Sequence, residues 1–205
     1  MPGFQHSCFI SYKHPPVHDK LNANKHIWVQ FVTAFQSGLE NFLALGIPTY
    51  RDADLRSMPG VEYPPALARS LCRSVCLIAI LVPEYIESSW CRAEWQGMVE
   101  LEQERKVDAS LGGSIIPILF RGDLESTRKF CGSREFLDFR KVINPRRQLG
   151  DTNTYLQLLD HIAQRVAILA NRASPTDCHG FVDGFVKRTG RDVVEPRFDD
   201  PSPLV

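Results

Sequence analysis

Short, almost unbroken apolar runs alternate along this chain with longer segments in which apolar residues return every three or four positions. That alternation predicts a parallel sheet whose strands are joined by crossover helices. SCFISY at 7–12 is the first expected strand. After a polar stretch, Ile27, Phe31, Phe35, Leu39 and Leu43 recur every four residues and predict an amphipathic helix closed by Gly46. IPTY at 47–50 reads as a short second strand, followed by a fifteen-residue loop, RDADLRSMPGVEYPP, rich in charge and turn formers. Loops of that length in compact domains are functional or mobile. A short helix is expected through Ala66, Leu67 and Leu71, with Pro65 accommodated in its first turn. SVCLIAILV at 74–82 is the most apolar run and the best candidate for a central strand covered on both faces. GGSIIPILF at 112–120 supplies a fourth strand and FLDF at 136–139 a weaker fifth, at an edge. A last helix carries Tyr155, Leu159, Ile162, Val166 and Leu169 on one face. From about Asn171 the pattern breaks down, so the expected division is a domain at 5–170 and a C-terminal extension or linker, partly disordered, at 171–205.

The helix after the third strand opens with SSWCRAEW at 88–95, where paired serines can serve as caps. At about 100° per residue, Trp90, Cys91, Trp95, Met98, Val99 and Leu101 share one arc, and Arg92, Gln96, Glu100, Gln103 and Glu104 the other. Glu94 falls inside the apolar arc. A carboxylate is costly to bury without a partner, so it is either structural, paired with an arginine or a backbone amide, or functional. Glu102 falls in the same arc, roughly 12 Å further along the axis, and the two cannot share one role.

Right-handed crossovers leave a five-stranded α/β chain few strand orders, and the flavodoxin-like order 2-1-3-4-5, with helices on both faces, is among the commonest. In that order a crevice opens at the carboxyl ends of strands 1 and 3. SYKH (11–14), YRDAD (50–54) and the start of the Glu94 helix border it. The carboxylate can then face a cleft with an aromatic wall instead of a dry core.

Other chemistries find little support. Neither G-x-G-x-x-G nor a Walker motif follows the first strand, G-x-S-x-G is absent, and GGS at 112–114 precedes a strand as a turn. Lys+Arg and Asp+Glu are both 24, so the formal net charge is zero and nothing global favours nucleic acid or an anionic membrane. The basic run NPRRQ at 144–148 is too short to change that. His14 and His18 stand four apart, but KHPPVH contains two prolines and cannot hold them on a regular helix, so no metal site is expected. The six cysteines form no CxxC pair, and four of them sit in apolar strand or helix patterns as buried free thiols do. With no signal-like start and no apolar stretch of membrane-spanning length, a cytoplasmic chain in a reducing compartment is expected.

Taken together, CFISYKH, a helix, IPTYRDADLRSMPG, a short helix, SVCLIAILVPEYIESSWCRAEW and IIPILF resemble, in order and spacing, the Toll/interleukin-1 receptor (TIR) domain family across roughly residues 5–170. The resemblance implies the five-stranded flavodoxin-like fold. It also implies one of two roles, since receptor and adaptor members bind other TIR domains while many bacterial, plant and neuronal members cleave NAD. In the cleaving members a glutamate in the helix after the third strand is catalytic, and Glu94 is the matching position, with Ser89 and Trp90 matching the serine and tryptophan before it. The family's long loop after the second strand corresponds to residues 51–62, flanks the nucleotide site and mediates head-to-tail assembly.

The implied reading is therefore an NAD hydrolase or cyclase of bacterial type, an immune effector or signal generator activated by self-assembly. The alternative is a non-catalytic scaffold for other TIR domains. NAD is substrate, not cofactor, and the implied partners are NAD and other TIR domains, without nucleic acid or membrane. Glu94 is the catalytic candidate. The substrate-binding candidates are Ser11, Tyr12 to stack on a base, Lys13, Arg51 and Asp52 for pyrophosphate and ribose, Ser89, and Trp90 to exclude solvent. Asp54, Leu55, Met58, Pro59 and Gly60 are the assembly-loop candidates.

Overall fold

A computed structural model describes residues 3–14, 23–51, 63–107, 112–140, 142 and 153–192. Its strands are β1 (His6–Tyr12), β2 (Tyr50–Arg51), β3 (Ser74–Leu81), β4 (Ile115–Leu119) and β5 (Leu137–Asp138). Its helices are α1 (Ala23–Phe42), α2 (Tyr63–Cys72), α3 (Pro83–Glu87), α4 (Ser89–Glu104), α5 (Leu124–Cys131), α6 (Asn153–Arg172) and α7 (Cys178–Asp192). The strands form one sheet in the order β2-β1-β3-β4-β5, with every neighbouring pair parallel. The expected flavodoxin-like α/β topology is therefore the observed one.

The sheet buries both faces. Every residue of β3 is buried, as its unbroken apolar run requires of a strand covered on both sides. Cys8, Ile10, Cys76, Ile78, Ile116 and Ile118 pack beneath Phe31 and Phe35 of α1 and Ile162 and Val166 of α6. Phe9, Leu77, Ala79 and Leu81 belong to the opposite cluster, with Leu67 and Leu71 of α2, Met98 and Leu101 of α4, and Phe181 and Phe185 of α7. Pro117 lies inside β4, where a residue without an N–H is unusual. The Phe120 amide donates to Leu81 of β3, so the even-numbered amides of this strand face β3 and Pro117 faces β5. Pairing with β5 starts only at Ile118, so the missing donor is not needed.

Two features go beyond the sequence expectations. Residues 178–192, read as part of an extension without pattern, form α7, which lies on α2 and α4. Gly97 of α4 allows the close approach. A Cβ there would lie 3.0 Å from Leu71 and 3.2 Å from both Phe181 and Phe185. The cysteines divide as well. Cys8, Cys76, Cys91 and Cys131 are buried free thiols, but Cys72 and Cys178 are joined as a disulfide. The pair is separated by 106 residues and becomes adjacent only when α7 docks beside the end of α2, which no local spacing announces.

Candidate functional site

Period-two alternation along β1 sends Ser11 to the α4 side of the sheet and its neighbours Ile10 and Tyr12 to the α1 side. Ser11 pairs in register with Ala79 of β3, near the carboxyl end of both strands. The chain leaves β3, turns through the five-residue α3 and enters α4 at its N-cap, Ser88, whose hydroxyl accepts from the Cys91 amide at 3.4 Å. Glu94, less than two turns into α4, then faces the sheet just above Ser11.

The Ser11 hydroxyl donates to Oε2 of Glu94 and lies 2.9 Å from the phenol of Tyr85 in α3. Tyr85 also reaches the Cys91 carbonyl, at 3.4 Å. All three side chains are buried, with Ser11 1% exposed, Tyr85 0% and Glu94 5%. Burial, with the neighbouring Cys91 and Glu94 adding to it, pushes the Tyr85 phenol well above its usual pKa. It stays protonated and is a donor. Trp90, half-buried one turn before Glu94, meets the edge of Tyr63 with ring centroids 5.3 Å apart. Tyr63 is the first residue of α2.

The structure thus brings Ser11, Glu94 and Trp90 to one end of the sheet, with Ser89 exposed at the start of α4. Lys13 follows β1 and is half-buried. Tyr12 and Arg51 go elsewhere. The Tyr12 ring is buried in the cluster on the α1 side, 4.3 Å from the His14 ring, and Arg51 donates to Thr33 of α1 at 3.2 Å. Both side chains are across the sheet from Glu94, because β1 and β2 place alternate residues on alternate faces. Asp52, Asp54, Leu55, Met58, Pro59 and Gly60 lie outside the described residues. Tyr85 and Tyr63 are site residues that the sequence did not single out. A five-residue helix has no periodicity to mark its buried position, and Tyr63 sits in a run that reads as loop.

Glu102 has a different environment. Arg134 forks onto both of its oxygens, with Nη1 to Oε1 at 2.9 Å, and the Ser114 amide donates to the same Oε1. A Cβ at Gly113, whose φ is +70°, would collide with this pair. Next to it, at the amino ends of the strands, is a cavity of about 890 Å³ lined by residues including Gly112, Arg134, His161 and Arg165. Its cations already have partners, since Arg134 holds Glu102 and Arg165 donates to the Gly112 carbonyl at 2.8 Å. The Ser11, Tyr85 and Glu94 cluster is at the other end of the sheet. Among the described residues no group of three His, Cys, Asp or Glu side chains could hold a metal, and no helix is long and apolar enough to cross a membrane.

Comparison with known families adds one finding. A family model described as TIR domain matches residues 9–151. That span includes Ser11, Tyr85 and Glu94 and ends before α6 and α7. No curated protein matches the chain.

Proposed function

The chain belongs to the TIR domain family, matched over residues 9–151, and from that premise we propose that it cleaves the nicotinamide N-glycosidic bond of NAD. The observation that carries the reading is Glu94, a 5%-exposed carboxylate that accepts from Ser11 at the carboxyl ends of β1 and β3. In such a sheet ligands bind in the crevice at those ends, where the winding direction reverses.

One carboxylate is chemically sufficient. The leaving group is a cationic pyridinium that departs as neutral nicotinamide, so no general acid has to protonate it. Glycosidases that expel an alkoxide need two carboxyl groups for that reason. The remaining demand is to stabilise the oxocarbenium-like ribosyl centre, which a fixed, partly desolvated carboxylate does. Water then captures the centre to give ADP-ribose, or a nucleophilic group of the same molecule does so to give a cyclic isomer. Trp90, one turn before Glu94 on α4, packs against Tyr63, and in this reading the pair forms the aromatic side of the crevice. In this reading the chain is a cytoplasmic immune effector or signal generator, and NAD is its substrate.

The test is incubation of the protein with NAD at high protein concentration and separation of the products. Release of nicotinamide with ADP-ribose or a cyclic isomer is expected, and Glu94→Gln should lower the rate by at least about 100-fold. A Glu94→Gln protein as fast as the wild type removes Glu94 from the mechanism. No cleavage by the assembled wild type would leave the chain a scaffold for other TIR domains.

A further inference from the structure

Three groups that the sequence scatters over 83 positions meet around Ser11. A serine hydroxyl carries one proton. The structure directs that proton to Oε2 of Glu94, and a carboxylate can only accept it. The Ser11 oxygen is therefore left with its lone pairs toward the Tyr85 phenol, 2.9 Å away, and Tyr85 must be the donor in that contact. Its other acceptor, the Cys91 carbonyl, is 3.4 Å away and weaker. From this geometry we infer that Tyr85 is a positioning residue, acting through Ser11 in a directed chain, Tyr85 to Ser11 to Glu94, that holds the carboxylate in place and in its ionised form. The assignment of a catalytic purpose to this chain rests on the NAD-cleaving reading, whereas the chain itself does not.

Two physical effects follow from that direction. Each donor polarises the next in a site closed to bulk water, so the Ser11 hydrogen bond to Glu94 is strengthened by the Tyr85 proton behind it. Hydrogen bonds donated to the charged form of a carboxyl group favour ionisation, so the chain keeps Glu94 negative at lower pH than it would otherwise be. Burial of the phenol keeps its proton in place, so Tyr85 retains the donor that the shorter Ser11 contact uses. Among the described residues, the titratable groups facing Tyr85 are Cys91 and Glu94 of α4 and Cys131 of α5. Burial pushes the Cys131 thiol up to about 11, so it stays neutral through the range in which a carboxyl group titrates. Tyr85 also fills core space, and removal of its hydroxyl alone separates the two roles.

The experiment is a carboxyl titration of Glu94 by NMR in the NAD-free protein, for wild type, Tyr85→Phe, Ser11→Ala and the double variant. Thermal melting confirms that each is folded. Tyr85→Phe keeps the ring and should move the Glu94 titration upward by roughly half to one pH unit. Ser11→Ala should move it further, and adding Tyr85→Phe to Ser11→Ala should change nothing more, because the link is already cut. In NAD cleavage the acid limb of the kcat profile should shift with the titration, and kcat at neutral pH should fall roughly 3–10-fold in Tyr85→Phe with KM little changed. An unshifted Glu94 titration in folded Tyr85→Phe overturns the inference, as does an additive effect in the double variant. A wild-type protein without NAD cleavage but with the shifted titration overturns the enzymatic reading and leaves the hydrogen-bond chain standing.

Discussion

Glu94 and Glu102 sit on the same helix and are both buried, and each is held by a different part of the fold. Glu102 is neutralised by a forked arginine and a backbone amide, the arrangement of a carboxylate that holds two elements together. Glu94 accepts from the Ser11 hydroxyl at the carboxyl end of the sheet, the end proposed above to bind the substrate. The two should therefore separate in experiment. Arg134→Met leaves the Glu102 charge buried without its cation and should lower unfolding free energy by roughly 3–5 kcal/mol, read from urea denaturation. Glu94→Gln retains an acceptor for Ser11 and should shift stability by less than about 1.5 kcal/mol while removing NAD cleavage. A third consequence at this scale concerns pH. Burial raises the Cys76 thiol from its usual 9.0 to about 12, so the folded chain keeps a proton that the unfolded chain releases. The stability this contributes is complete below pH 9.0 and is lost as pH rises toward about 12. Denaturation midpoints should fall across that window, and less steeply in Cys76→Ala measured against its own value at neutral pH.

At the scale of elements, α6 and α7 both lie beyond the family match and both serve the core, α6 on one face of the sheet and α7 on the other. Phe181 and Phe185 enter the cluster formed by α2, α4 and β3, and Phe185 is fully buried. Phe185→Ala should cost about 3–5 kcal/mol, with the lost transfer energy and the cavity acting together. Gly97→Val tests the other side of the contact. Its added side chain meets Leu71 and both phenylalanines, and overpacking of about 1–3 kcal/mol is expected in equilibrium unfolding. The Cys72–Cys178 disulfide closes a loop spanning 106 positions, and its reduction should lower stability by about 2–4 kcal/mol. Labelling with an alkylating reagent after denaturation should then find two more reactive thiols in the reduced protein than in the oxidised one. Equal counts would show that the pair is not oxidised in the protein as prepared.

At the scale of the whole molecule, TIR domains commonly self-associate, and a chain with zero formal net charge has no long-range repulsion to oppose it. Tyr63, against which Trp90 packs, is the residue at which α2 begins, directly after the segment expected to mediate assembly. In the proposed reading, a neighbouring copy that contacts the segment before Tyr63 acts through Tyr63 on Trp90, one turn before Glu94. Head-to-tail contacts of this kind need not close into a ring. NAD turnover per molecule should rise with protein concentration in step with light scattering, and Asp54→Ala or Pro59→His should reduce both together. Turnover independent of concentration, from a strictly monomeric protein, would show that one chain completes the site.

Much of this was legible in the sequence, for physical reasons that also mark the limit. A strand buried on both faces must be apolar throughout, so β3 could be read directly from SVCLIAIL. The four-residue recurrence of Phe31, Phe35 and Leu39 marked α1, and right-handed crossovers left few orders for five parallel strands. Glu94 stood out because a charge on an apolar arc is costly. What distinguished it from Glu102, which breaks the same rule, was the partner each meets across the fold, and partners 83 or 32 positions away leave no local trace. Tyr12 and Arg51 lie in the right segments but turn to the far face, because strand parity, set by the pairing register, decides the side. The Tyr85 phenol, the Cys72–Cys178 disulfide and the docking of α7 against Gly97 are likewise products of tertiary contact. Local periodicity determines which residues are buried, and only the packing of elements determines what a buried group touches.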